Sequence, residues 1–195
     1  NAGREISNSS SELPWTLIQN TTPESAAHLF QEESSVCVCA ATTLEGSTPG
    51  EFLDSAVEFV NDQLFGTVCA TITAPKSFEN REALALEKAI AKLRYGSVCV
   101  NQWAGVVYGL MTPPWGGHPS SSLESPQSGM GHVHNTFCLK TFEKTVLRGP
   151  LCSHPKPVWF HSHKTATQVG WSLLKLYEKP TITRLPLLFY HALRG

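Results

Sequence analysis

The apolar residues of this chain fall into two alternating patterns that predict its secondary structure. Residues 51–64 and 81–93 place apolar side chains three and four positions apart, which is typical of amphipathic helices. Residues 35–43, 67–74 and 97–101 are short, almost wholly apolar stretches, which predict strands buried on both faces. Because helices separate these strands, we expect an α/β fold with a largely parallel sheet and helices on both faces.

Further segments add a strand, a long loop and a helical tail to this sheet. Residues 137–147 alternate between apolar and polar side chains and predict another strand. Residues 104–131 are rich in glycine and proline, which predicts a long irregular loop. Residues 164–178 form an amphipathic pattern, and residues 185–193 predict a short terminal helix.

These patterns divide the chain into three parts. Residues 1–13 are polar and rich in serine and asparagine, so we expect them to be disordered or left over from a cleaved tag. Residues 14–150 hold the α/β portion, and residues 151–195 form a helical extension. Within the α/β portion, Thr22 is placed to cap a short helix, and Gly66 is placed to end the helix over 51–64.

The overall charge argues against two classes of partner. The 195 residues carry a net charge of −1, and their basic residues are scattered without a run. Nucleic acid and anionic membranes usually require a basic patch, so we expect neither as a partner. No apolar run approaches the roughly 20 residues that cross a bilayer. The first residues do not resemble a signal peptide, so we expect a cytoplasmic protein.

The cysteines and histidines offer the first candidates for chemistry. Four of the six cysteines lie in apolar runs, where we expect buried, reduced and unreactive thiols; they are Cys37, Cys39, Cys69 and Cys99. Two His-x-His pairs, 132/134 and 161/163, would project to one face of a strand and could share a metal ion. No recognised zinc spacing accompanies them, so we predict no metal site.

Known catalytic motifs do not occur in the chain. There is no G-x-S-x-G nucleophile elbow, no Walker A sequence and no G-x-G-x-x-G fingerprint. We therefore predict no catalytic residue within these 195 residues.

Six short motifs nevertheless follow one another in a definite order. They are Glu32-Glu-Ser-Ser-Val-Cys-Val38, Asn61-Asp-Gln-Leu-Phe-Gly66, Tyr95-Gly-Ser-Val-Cys-Val-Asn101, Pro114-Trp-Gly-Gly117, Ser128-Gly-Met-Gly131 and Lys144-Thr-Val146. This order resembles the late part of the catalytic domain of aldehyde dehydrogenases over about residues 30–150 of the chain.

The resemblance implies roles for particular residues. Glu33 matches the glutamate that holds the nicotinamide ribose hydroxyls of NAD or NADP, and a carboxylate can accept two hydrogen bonds from a diol. Trp115 matches the aromatic wall of the aldehyde tunnel. The strand over 137–147 matches a segment that extends a sheet across the interface of a homo-oligomer. The parent enzyme would oxidise an aldehyde to a carboxylic acid through a cysteine thioester.

The family's nucleophilic cysteine, general-base glutamate, oxyanion asparagine and dinucleotide-binding half are expected ahead of this region. We therefore expect the chain alone to be inactive and to bind no cofactor by itself. Two alternatives remain. Ser35 stands where the family has Phe, and Cys37 where it has Pro, which favours a degenerate, non-catalytic binding or structural module. The His-x-His pairs leave open a metal-binding protein.

Overall fold

Strands and helices alternate along the chain in the computed structural model, which describes residues 4–5, 15–160 and 162–195. The strands are β1 (Arg4–Glu5), β2 (Thr16–Ile18), β3 (Val38–Ala40), β4 (Cys69–Ile72), β5 (Ser97–Val100), β6 (Trp115–Gly116), β7 (His132–Val133) and β8 (Thr145–Arg148). The helices are α1 (Pro23–Ala26), α2 (His28–Gln31), α3 (Pro49–Gln63), α4 (Lys76–Arg81), α5 (Ala83–Lys92), α6 (Gly105–Leu110), α7 (Ala166–Glu178) and α8 (Leu185–Ala192). The chain forms two compact units, one ending at Gly149 and the other spanning Pro150–Gly195.

The central sheet of the first unit is wholly parallel, in the order β4-β5-β8. Every residue of β5 is buried, because each face of the strand meets a different core cluster. Val98 and Val100 pack with Leu86 and Ile90 of α5 on one face, and Cys99 packs with Val107 of α6 on the other. The predicted α/β class with a parallel sheet is present in this unit, and helices pack on both faces of β5. The outer strands β4 and β8 each leave alternate residues exposed, so the sheet is covered only in part.

Two smaller sheets complete the first unit. In one, β2 pairs antiparallel with β1 and parallel with β3. In the other, β6 and β7 form an antiparallel pair. The prediction that residues 35–43 form a strand buried on both faces is wrong, because β3 covers only three residues and its middle one, Cys39, is exposed. Successive side chains of a strand point to opposite faces of the sheet, and the face that carries Cys39 is open to water.

The helices of the first unit agree more closely with the apolar pattern. The helix expected over 51–64 is α3, whose start is fixed by Pro49 and by a hydrogen bond from the Glu51 amide to Thr48 Oγ1 at 3.2 Å. Thr22 caps α1 as predicted, in a reciprocal pair with Ser25. Gly66 has φ of +105°, but it lies two residues beyond the Leu64 cap and therefore shapes the following turn.

The strand expected over 137–147 is mostly absent, because β8 begins only at Thr145. The Asn135 side chain explains the difference. Its Nδ2 donates to the carbonyl of Leu139 at 2.8 Å, and its Oδ1 accepts from the amide of the same residue at 2.9 Å. Such local side-chain bonds hold the backbone in a turn and compete with strand pairing. Phe137 is consequently 71% exposed within this turn.

The second unit is a helical pair in which α7 packs against α8. Thr165, just before α7, donates from Oγ1 to the carbonyl of His191 at 2.6 Å. The buried His163 ring reaches the carbonyl of Ala192 at 3.2 Å through Nε2, so both contacts join the start of α7 to the end of α8. Among the described residues, no helix is both long enough and apolar enough to cross a membrane. The expectation of disorder over 1–13 lies outside the described residues, except at β1.

Candidate functional site

Five of the six sequence motifs meet in one network of contacts in the first unit, beginning with Asn61 near the end of α3. Its Nδ2 donates to the carbonyl of Lys92 at 2.9 Å, and its Oδ1 accepts from the amide of Arg94 at 2.8 Å. One amide side chain thus joins the Asn61–Gly66 motif to the end of α5 and to Arg94, the residue just before the Tyr95–Asn101 motif.

Three glycines from three motifs pack backbone against backbone. A Cβ atom added to Gly96 would overlap the carbonyl oxygen of Gly116, and one added to Gly116 would overlap the carbonyl oxygen of Gly131. No residue larger than glycine fits either position without moving the chain. The Pro-Trp-Gly-Gly and Ser-Gly-Met-Gly motifs therefore form a close backbone contact beside β5.

Two further sets of hydrogen bonds connect the neighbouring motifs to Thr67, which follows α3, and to the end of α5. The amide of Thr67 donates to Ser128 Oγ at 2.9 Å. Lys144, nearly buried, donates from Nζ to the carbonyls of Ile90, Ala91 and Leu93 at 3.1, 2.8 and 2.6 Å. Its charge satisfies the free carbonyls at the end of α5. The motif residues thus build a framework.

Glu33 lies apart from this framework, in the exposed segment between α2 and β3. No hydrogen bond or ion pair of the described residues involves its carboxylate, and none joins it to Trp115. Ser35, two residues later, has φ of +51°, a left-handed conformation that is uncommon outside glycine and asparagine. The carboxylate is therefore free to accept hydrogen bonds, on an unusually shaped backbone segment.

Trp115 lies in β6 and is half-buried. Its side chain packs on the core cluster of Cys99, Ala104 and Val107, and its ring centroid lies 5.8 Å from that of Tyr108. One side of the indole therefore closes the core beneath β5.

Two apolar cavities of the first unit surround Phe52 on α3. One, of about 510 Å³, lies between α2, α3 and the residues that follow β3; the other, of about 460 Å³, lies between the start of α3 and the residues that follow β4. We call the two together the Phe52 cleft. Its apolar lining comprises Leu29, Phe30, Leu44, Phe52, Leu53, Phe59, Leu64, Ile72, Ala74 and Phe78.

The position and chemistry of the Phe52 cleft suit the binding of an apolar molecule. Ligands of α/β proteins bind beyond the carboxyl ends of the strands, which is where both cavities lie. The described lining holds threonine and serine hydroxyls but no charged side chain, histidine or cysteine. The cleft can hold an apolar body and orient a polar end, and it supplies no nucleophile. The motifs gave no sign of it, although the carboxyl-end rule could have drawn attention to residues 42–48 and 73–75.

Three of the four cysteines expected to be buried are exposed, whereas the fourth, Cys99, is buried and unreactive as expected. Only Cys99 is buried, whereas Cys37, Cys39 and Cys69 are exposed, because β3 and β4 each turn alternate residues to water. Burial raises the pKa of the Cys99 thiol to about 11. Cys69 is exposed as a residue, but neighbouring protein atoms partly exclude water from its sulfur and raise its pKa as well. A raised pKa leaves little thiolate at neutral pH, so neither sulfur is an activated nucleophile.

The histidine pair at 132 and 134 does not share a face. β7 ends at Val133, and His134 has φ of +64°, which breaks the strand alternation. The His132 ring contacts Phe142 at 4.5 Å between centroids, and the His134 ring contacts Tyr108 at 4.7 Å. Within the described parts of the chain, no three His, Cys, Asp or Glu side chains come together as metal ligands. The second pair includes residue 161, which lies outside the described residues.

Comparison with known proteins identifies no relative of this chain. No protein-family model, curated protein or solved structure matches the chain.

Proposed function

We propose that residues 14–150 are the C-terminal part of the catalytic domain of an NAD(P)-dependent aldehyde dehydrogenase-like oxidoreductase. One observation carries the proposal: five motifs spread over 86 positions, from Asn61 to Val146, contact one another directly. The contacting residues are Gly66 with Ser128, Gly96 with Gly116, Gly116 with Gly131, and Pro114 with Thr145. The nucleophilic cysteine and the dinucleotide-binding half would be encoded ahead of Glu33.

Within such an enzyme, this part would bind the apolar body of the aldehyde. The sequence motifs assign that role to Trp115, and its exposed side remains available for it. The Phe52 cleft adds a second apolar surface, and its lack of charge favours a bulky hydrocarbon or aromatic aldehyde.

The cofactor contact of this part would be a single carboxylate. Glu33 is exposed and its carboxylate pairs with no residue that the structure describes, so its oxygens suit the ribose hydroxyls of NAD or NADP. The nicotinamide, when bound, would accept the hydride from the substrate. The role of Glu33 would be to orient the ribose, and we assign no other described residue to the cofactor.

The oligomer contact would lie at β8 and not over the longer segment 137–147. Among the described strands, β8 has a neighbour, β5, on one side only. The free edge of Thr145–Arg148 could pair with a strand of a second subunit.

The decisive experiment is to sequence the transcript that encodes this chain. The proposal requires a cysteine and a glycine-rich dinucleotide-binding half in the same reading frame, ahead of Glu33. A frame that encodes neither would contradict it. The purified chain should produce no NADH from aldehydes and NAD. Turnover above a blank would show that the chain does contain catalytic residues.

A non-catalytic module with the same framework is the second candidate. The left-handed Ser35 and the Cys37 substitution favour it, because they alter the segment that carries Glu33. Titration of the full reading-frame product with NAD separates the two candidates. Glu33→Gln should weaken NAD binding in the enzyme and leave a non-catalytic module unchanged, and the neighbouring Glu32→Gln provides the control.

A further inference from the structure

We propose that the second unit, Pro150–Gly195, binds the surface of an anionic lipid bilayer. The net charge of −1 conceals a strong asymmetry between the two units. Residues 150–195 carry six Lys and Arg and one Glu, a charge of +5, whereas residues 1–149 carry nine basic and fifteen acidic residues, a charge of −6. The change of sign falls at the boundary between the units.

The basic side chains of this unit have few anions nearby. Of the six, only Arg184 has an acidic partner among the described residues, namely Glu178 at 3.8 Å. Arg194 lies over the Tyr190 ring and donates to its hydroxyl at 2.7 Å. Lys164, Lys175 and Lys179 are exposed and form no ion pair with a described residue. Their charge is therefore available to an external anion.

Large apolar side chains lie beside these cations. On α7, Val169 is buried against the rest of the unit, whereas Trp171, Leu174 and Tyr177 are 63%, 58% and 73% exposed. These three positions are spaced by three residues and form a stripe along one side of the helix. On α8, most apolar residues are exposed as well; they include Leu187, Phe189 and Tyr190. A soluble surface rarely exposes so much contiguous apolar area without a partner.

The combination of aromatic and basic groups selects the partner. Lys175 follows Trp171 by one helical turn, and Lys179 follows the helix end. Tryptophan and tyrosine favour the headgroup level of a bilayer, and lysines beside them attract anionic lipids. A purely apolar partner would leave the five unpaired charges without counter-ions. The exposed stripe would lie in the bilayer interface, with the lysines at the phosphates.

The test is flotation of the full chain with vesicles. One set contains phosphatidylcholine alone, and the other contains phosphatidylcholine mixed with phosphatidylserine, each at low and high salt. We expect binding to the anionic vesicles, weakened by salt. Replacing both lysines, Lys175→Gln and Lys179→Gln, should lower the partition coefficient about 25-fold. Lys140→Gln, an exposed lysine of the first unit, should not change it.

The apolar half of the proposal has a matched control. Trp171→Ser should lower the partition coefficient about ten-fold. Trp103→Ser replaces a tryptophan of the first unit that is 61% exposed, and it should leave binding unchanged. Circular dichroism verifies that each variant is folded. Equal binding to neutral vesicles, or indifference to the lysine changes, would overturn the proposal. Trp171-dependent dimerisation without vesicles would do so too, because the surface would then belong to a second copy.

Discussion

Asn101 donates a hydrogen bond from Nδ2 to Glu79 Oε1 at 3.0 Å, and this bond ties the end of β5 to α4. The Asn101 side chain is buried, its Oδ1 accepts from the amide of Ala74 at 2.8 Å, and its backbone has φ of +60°. Asparagine tolerates this left-handed conformation, and here its amide also supplies a donor and an acceptor at once. The residue therefore fixes the carboxyl edge of the sheet beside the Phe52 cleft.

Asn101→Asp should reverse the polarity of that contact. The donor becomes a carboxylate beside Glu79, so we expect a loss of about 2 kcal/mol in the free energy of unfolding at neutral pH. The repulsion raises the pKa of the carboxylate pair in the folded state. Stability should therefore recover as acid protonates the pair. Asn20→Asp is the control, because Asn20 shares the left-handed conformation but is exposed. Equal urea denaturation curves for the two variants would contradict the assignment.

Replacing glycine by alanine should have opposite effects on stability at Gly96, which lies in the glycine contact, and at Gly109, which lies outside it. Gly96→Ala would place a methyl group on the Gly116 carbonyl, so unfolding should become easier by about 3 kcal/mol or more. Gly109→Ala lies in α6 with no atom within 4 Å of the new methyl group, and it should stabilise the protein by about 0.5–1 kcal/mol. Both variants are measured by urea denaturation. A neutral Gly96→Ala would show that the three glycine segments do not pack closely.

Thiol accessibility distinguishes the cysteines. We expect five of the six, all but Cys99, to react with a maleimide in the folded protein, since five are exposed. Cys69 should react slowly among these five, because partial exclusion of water from its sulfur raises its pKa. Cys99 should react only after unfolding. Mass spectrometry of labelled peptides assigns each site, and Cys99→Ala should remove only the label that is added after unfolding. Rapid labelling of Cys99 would contradict its position in the core.

Asp54 makes part of the stability depend on pH. Hydrogen bonds from Lys88 at 2.8 Å and Lys92 at 3.0 Å lower the pKa of the Asp54 carboxyl below its ordinary value of 3.8. A carboxyl whose pKa is lowered by folding contributes stability above its unfolded pKa and loses it as the pH falls through the folded value. Stability should therefore decline below about pH 4 less steeply in Asp54→Asn than in the unmodified chain. Because the pair is exposed, added salt should reduce the difference. Parallel acid titrations in both proteins would contradict this role.

The sequence predicted the elements whose burial is uniform along their length. The helices α3 and α7 lie where the apolar spacing indicated, because packing one face on a core dictates that spacing. The strand β5 lies where a continuous apolar run indicated, because both of its faces are buried. The strand expected over 137–147 was wrong for a local reason. A side chain, Asn135, binds the backbone four residues ahead, and alternation of apolar residues carries no information about such a bond.

Burial of the cysteines could not be predicted from composition alone. Apolar runs at β3 and β4 suggested strands covered on both faces, yet of β3, β4 and β5 only β5 is buried at every residue. Which strand faces are covered depends on helices packed from distant parts of the sequence. The Phe52 cleft could not be predicted from the sequence for the same reason, because its walls come from segments that are separated in sequence. The charge asymmetry between the units, by contrast, can be counted directly from the sequence. It is concealed only when the charges of both units are added into one total.

The middle position of β5 also constrains the order in which the chain can fold during synthesis. Its partner β4 precedes it, but β8 becomes available only after Arg148 has left the ribosome. Until then, β5 has one open edge and Cys99 lacks its neighbour Leu147. The nascent first unit should therefore remain open to chaperones until nearly all of its residues have been made.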